Sequence, residues 1–148
     1  MSLMLACDLA IAAEDARLHL AYGRLGLTPD GGATHHLARL VGPRRALELA
    51  LLDTPLEAAA ARDWGLVNRV VAAEALEAEA TALAGRLAAG PTRAYVAARR
   101  LLAAAATRGL AAQLDAERES FARLTASEDF AEGVRAFLDH RPPRFTGR

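Results

Sequence analysis

The 148-residue chain carries 18 Arg and no Lys against 18 acidic residues, for a formal net charge of +0, with one Cys and 53% hydrophobic residues. Neutrality argues against a nucleic-acid partner, which calls for a basic excess or stripe. One Cys excludes an internal disulfide framework and a multi-Cys zinc site, and the hydrophobic content is too high for disorder.

No apolar run approaches the roughly 18–20 residues of a membrane-spanning helix. The apolar start, Met1 to Cys7, lacks a basic lead and is followed by Asp8, so neither a signal peptide nor a membrane partner is expected. A cytoplasmic location is the default. The length alone fits one domain, able to bury roughly two-thirds of its unfolded surface. Ala supplies about a quarter of the residues. Its high helix propensity predicts a largely helical chain, with the runs at 58–61 and 103–106 in helix interiors.

Met1 to Cys7 is helix-compatible. Asp8 to Ala13 reads as a short buried strand, Glu14-Asp15 as a turn, and Arg17 to Ala21 as a second short strand. Tyr22 to Gly32, with four Gly, Pro29 and Asp30, reads as a dense loop. Ala33 to Val41 is a predicted helix stopped by Gly42, and Pro43 opens another through Leu52. Thr54-Pro55-Leu56-Glu57 has the pattern of a capping box for a helix running to about Asp63, with Gly65 as its stop. Leu66 to Val71 is extended. Helices follow at 73–89, 91–106, 110–125 and 128–139, the last capped by Ser127, and Pro142-Pro143 ends the helical region. These strands are too few and short for a free-standing sheet.

The richest stretch for chemistry is Tyr22 to Gly32. Gly31-Gly32 permits close approach of a ligand to the backbone ahead of a helix N-terminus. Asp30 beside them suits a general acid/base in an apolar pocket, or equally a helix N-cap. Tyr22 is either a donor into that site or a half-buried aromatic. Adjacent His35 and His36 do not share a helix face, so no metal site is expected, and His19 and His140 stand alone. Cys7 reads as a small buried hydrophobe. Phe121, Phe130 and Phe137 fit core or interface packing on the last two helices. Arg135, Arg141, Arg144 and Arg148 read as a solvated end that also suits phosphate.

In order and spacing, several segments resemble the enoyl-CoA hydratase/isomerase (crotonase) superfamily. They are Met1 to Leu18, Gly26-Leu27-Thr28-Pro29-Asp30-Gly31-Gly32, Leu40-Val41-Gly42, Ala46 to Leu49, Ala61-Arg62-Asp63-Trp64-Gly65-Leu66-Val67-Asn68-Arg69-Val70-Val71, and Phe137 to Phe145 with its Arg141-Pro142-Pro143-Arg144-Phe145 ending. The pattern comes nearest the phenylacetate-pathway isomerase branch. The resemblance implies an α/β fold: the C-terminal part of a ββα spiral over residues 1–72, then a helical trimerisation and CoA-covering region over 73–148, mostly helical in this chain. The full family domain is about twice this length, and the implied oxyanion amides fall before Met1.

The implied substrate is an acyl-CoA thioester, with coenzyme A arriving as part of it and no metal or redox cofactor. The implied chemistry runs through an enolate stabilised by backbone donors, in a homotrimer or hexamer. The glutamates used by hydratases align with Ser2 and Tyr22, so neither carboxylate is present. Asp30 matches the acid/base carboxylate of isomerase branches. Tyr22, Pro29 and Gly31 are expected to line the substrate beside it. Phe121 aligns with an aromatic near the CoA adenine. His140 stands where many members place a CoA-binding Lys, with Arg141 adjacent. Isomerisation is thus the expected reaction, with hydration as the alternative. A further alternative is a non-catalytic truncated piece or an assembly subunit.

Overall fold

The computed structural model describes residues 1–148. Its contacts divide the chain into Met1–Ala80 and Thr81–Arg148. The expected division at 72/73 marks the end of the extended segment. The contact boundary falls later, inside a helix whose first turn returns Glu79 to Arg69 at 3.5 Å.

The first unit holds α1 (Ser2–Leu5), β1 (Ile11–Ala13), β2 (Arg17–Leu18), a 3-10 turn (Ala21–Leu25), α2 (Ala33–Leu51), β3 (Leu56–Glu57), α3 (Ala58–Asp63) and β4 (Arg69–Val71). A second 3-10 turn, Ala73–Ala75, leads into α4 (Leu76–Ala88). β1 and β4 pair in parallel, with Ala12 opposite Val70. The ladder is extended by Asn68, whose side-chain oxygen accepts from Ala10 N at 2.8 Å while its own N–H donates back to Ala10 O at 2.8 Å. β2 and β3 pair antiparallel, Leu18 opposite Leu56. The strands are shorter than their apolar runs because backbone pairing, not hydropathy, sets their ends.

One cluster forms the core here: Leu5, Ala12, Leu18, Leu20, Ala33, Leu37, Leu49, Ala58, Ala61, Leu66 and Val67. Ala58 and Ala61 are wholly buried. At such close-packed positions added methylenes cost about 1–3 kcal/mol. Beside the core, Arg45 lies 4.8 Å over the Trp64 ring, an arrangement in which the ring face attracts the guanidinium charge.

Punctuation by glycine is reproduced. Gly42 (φ 78, ψ 165) breaks the helical path within α2 just before Pro43. Gly65 (φ 81) closes α3, with Leu66 N donating to Ala61 O at 2.8 Å and Gly65 N to Arg62 O at 2.9 Å. That pair of bonds is a Schellman motif, satisfying carbonyls the helix end leaves free.

Three expectations are corrected. The capping box at Thr54 does not form: Leu56–Glu57 is a strand, and α3 starts at Ala58. The ladder to Arg17–Leu18 and the Arg17–Glu57 ion pair at 3.2 Å outweigh the local helical pattern. Residues 19–21 do not extend the second strand; instead the expected loop opens with the 3-10 turn, closed by Gly26 at φ 66. Cys7 is exposed, its thiol donating to Leu3 O at 3.3 Å across one turn of α1.

In the second unit, α5 (Thr92–Ala105) packs beside α6 (Leu110–Leu124), and α7 (Glu128–Leu138) follows. Ser127 caps α7 as expected, its Oγ accepting from Phe130 N at 3.1 Å. The helix ends in a second Schellman motif, with Arg141 N donating to Ala136 O at 3.0 Å. Here the left-handed position usually held by Gly is His140, at φ 51. The expected solvated end is not free. Asp129, 5% exposed, accepts from Thr146 N at 2.7 Å and Gly147 N at 3.0 Å, and its own N–H donates to Arg148 O. The tail thus folds back along α7, which local sequence patterning does not reveal.

Candidate active site

The loop after the first 3-10 turn carries the acidic candidate. Gly26 N donates to Gly23 O and Leu27 N to Tyr22 O, each at 3.1 Å. These bonds fix the turn that presents Tyr22. The chain then passes through half-buried Pro29 and exposed Asp30 to Gly31 and Gly32. Both glycines are left-handed, at φ 61 and 79, a conformation that an L side chain adopts at a cost. Gly31 also has a packing reason: a Cβ there would lie 3.1 Å from Ser2 Cβ.

The N-cap alternative for Asp30 is not what forms. Gly32 caps α2 with no side-chain cap bond. Asp30 offers its carbonyl to Ala33 N at 3.1 Å, while its carboxylate accepts from Tyr22 Oη at 2.6 Å. Tyr22 Oη in turn lies 3.3 Å from Ser2 Oγ. A phenol has one proton to give. With that proton on Asp30, the Ser2 hydroxyl is the donor to Tyr22. Residues 2, 22 and 30 therefore form one hydrogen-bonded string, Ser2 to Tyr22 to Asp30. In sequence Ser2 reads only as a missing carboxylate. Its alignment with Tyr22 at two positions of one site was the signal that could have paired them.

A second polar group in this unit is structural. Asp53, at φ 54, pairs with His19 Nε2 at 2.5 Å and with Arg24. The Arg24 guanidinium holds the Asp53 carboxyl below its ordinary range; burial opposes this and the His19 bond adds to it. His35 takes Arg39 Nη1 at 3.0 Å, and His36 meets its ring edge-on.

Phe121, His140 and Arg141 belong to the second unit. Phe121, 69% exposed, lines an apolar groove of about 480 Å³ with Leu124, Phe130, Val134, Phe137 and Phe145. Phe145 enters because the tail folds back, which is why sequence spacing did not single it out. His140 is exposed at the end of α7. Arg141 is already engaged: its two terminal nitrogens grip the Glu132 carboxylate at 2.7 and 3.0 Å. Glu132 also accepts from Arg144 N at 2.9 Å. Its carboxyl is pushed down to about 2, first by the Arg141 guanidinium and then by that backbone N–H.

The chain is 42% identical over 147 residues to the 1,2-epoxyphenylacetyl-CoA isomerase of Escherichia coli (strain K12), covering 99% of this chain and 56% of that protein. It is equally 42% identical over 147 residues to a protein of Rhodobacter capsulatus named probable enoyl-CoA hydratase, covering 99% of this chain and 57% of that one. The solved enoyl-CoA hydratase of Polaromonas sp. JS666 superposes with a TM-score of 0.93 at 36% identity, over 98% of this chain and 56% of that one. The chain thus spans a little over half the length of these relatives. Its fold is of the α/β crotonase type, mostly helical over these residues. The enoyl-CoA hydratase/isomerase family profile matches residues 1–148, and the chain belongs to that family.

Proposed function

We propose that the protein acts on acyl-CoA thioesters as an isomerase, with Asp30 as the general acid/base. The observation that carries this reading is the Asp30 carboxylate, held at 2.6 Å by Tyr22 in the glycine-rich loop, while Ser2 stands at the other end of the string without a carboxyl group. The isomerase of E. coli at 42% identity supports it. Asp30 takes a proton from the carbon next to the thioester carbonyl of a 3-enoyl substrate. The electron pair moves onto the carbonyl oxygen, where in the full family domain backbone donors stabilise the enolate. The same carboxyl group returns the proton two carbons further along, and the double bond moves with no net consumption of protons.

Coenzyme A enters as part of the substrate, and no metal or redox group takes part in this scheme. Tyr22, Pro29 and Gly31 line the acyl end. Phe121 serves a CoA adenine, and His140 and Arg141 the CoA of a neighbouring subunit, with Arg141 also anchoring the tail through Glu132. Exposed apolar side chains such as Leu3, Leu102 and Phe137 are suited to burial in a homotrimer or hexamer, and a cytoplasmic location fits this metabolic role. Hydration is the second reading, favoured by the relatives named hydratases.

The test compares isomerisation of 3-hexenoyl-CoA with hydration of crotonyl-CoA. Wild type should isomerise faster than it hydrates, and Asp30→Asn should lower isomerisation by about 10²–10⁴-fold, the usual contribution of a positioned acid/base. Hydration outrunning isomerisation supports the second reading. An Asp30→Asn rate within a few-fold of wild type removes Asp30 from the chemistry.

A further inference from the structure

Resting on the reading of Asp30 as acid/base, we propose that Tyr22 is a positioning residue for the proton transfer and that Ser2 is the second link behind it. Asp30 is exposed on a loop, and a short side chain there is free to turn among rotamers unless something holds it. Tyr22 holds it at 2.6 Å through Oδ1. A hydrogen bond to a charged acceptor is roughly twice as strong as a neutral one. This leaves Oδ2 as the oxygen presented to the substrate carbon.

The hold is rooted in the core at both ends. Tyr22 follows Leu20, which is 2% exposed, and its carbonyl takes Leu27 N. Ser2 sits on α1, whose Leu5 is 4% exposed in the same core cluster. Gly31, lacking a Cβ, admits Ser2 to within reach of Tyr22.

The string also survives each step of the reaction. When Oδ2 takes the proton, Oδ1 becomes a carbonyl oxygen and still accepts from Tyr22. When Oδ2 gives it back, the carboxylate is restored. Tyr22 keeps its own proton throughout and touches no reacting atom, so its effect on the proton transfer runs through the orientation of Asp30.

A double-mutant cycle on the purified protein, with 3-hexenoyl-CoA as probe, separates this proposal from the reading beneath it. Tyr22→Phe keeps the ring and removes the donor. It should lower kcat by about 10- to 100-fold, the scale of a displacement near 1 Å, with KM within about 2-fold of wild type. In the Asp30→Asn background the same change should have no further effect, because residues acting as a unit are not additive. Ser2→Ala should give a smaller loss that disappears once Tyr22 is Phe.

Rates too slow for the isomerisation assay are read as deuterium uptake at the α-carbon in D2O by NMR. Independently of activity, amide exchange at Ala33, whose N–H donates to Asp30 O, should quicken in Tyr22→Phe. A full kcat in Tyr22→Phe, a loss that multiplies undiminished with that of Asp30→Asn, or unchanged exchange at Ala33 overturns the positioning role. Retained activity in Asp30→Asn instead overturns the reading of Asp30 itself.

Discussion

Replacing Gly31 by Ala probes the seam between the acidic loop and α1. The added Cβ meets two obstacles. Gly31 sits at φ 61, where an L residue costs about 1–2 kcal/mol. The Cβ also lies 3.1 Å from Ser2 Cβ, so Ser2 must retreat by a few tenths of an ångström. Its contact with Tyr22 is already 3.3 Å, and the retreat breaks it, at about 0.5–1.5 kcal/mol. Against these stands the reduced entropy of the unfolded chain, worth about 0.4–1 kcal/mol in favour of Ala. The net expectation is a loss of about 1–2 kcal/mol, which lowers Tm by about 3–6 °C for a chain of this size. Gly85→Ala is the matched control. It lies inside α4 with nothing within 4 Å of its Cβ, and it should gain about 0.5–1 kcal/mol. Thermal unfolding followed by circular dichroism reads both. A Gly31→Ala protein as stable as wild type would refute the claimed contact between the loop and α1.

Other consequences concern the second unit. Glu132 titrates near 2 in the folded chain against an ordinary 4.5. A carboxyl depressed on folding stabilises above its unfolded value, and that stability is lost as pH falls through the folded value. Amide exchange in residues 141–148 should therefore rise between about pH 4.5 and 2, and exchange that stays flat across that window contradicts the ion pair with Arg141. Asp129→Ala strands two backbone donors and should cost about 2–3 kcal/mol in urea unfolding, with the tail exchanging freely; a loss under about 0.5 kcal/mol would mean that the tail is held by other contacts. His140→Gly relieves a left-handed side chain at φ 51 and should stabilise by about 0.5–1 kcal/mol, whereas a destabilised variant would show His140 to be fixed by contacts of its own.

What sequence alone reveals follows from how local each cause is. Gly42, Gly65 and Ser127 act within a turn of themselves, so the breaks and the cap they make were legible. Leu56–Glu57 was not, because the strand that claims it is Arg17–Leu18, far away in sequence, while its neighbours Thr54 and Pro55 spell a helix start. Cys7 sits in an apolar run yet faces outward, since α1 buries Leu5 and not its opposite side. The tail looked solvated by its arginines. It is held by two carboxylates on α7, Asp129 and Glu132, whose backbone partners carry no signal in residue type. At the candidate site, Asp30 stood out among glycines, and its alternative as a cap was settled by Gly32 occupying that place. The link from Ser2 through Tyr22 leaves no local pattern, because only the approach of α1 to Gly31 creates it.

The most direct measurement of the central claim is proton bookkeeping at the substrate. In D2O, with 3-hexenoyl-CoA followed by NMR, the wild-type protein should move the double bond while exchanging or relocating the α-proton. Asp30→Asn should suppress both by the same factor, about 10²-fold or more. Double-bond migration that persists in Asp30→Asn would contradict the assignment of Asp30 as the group that carries the proton.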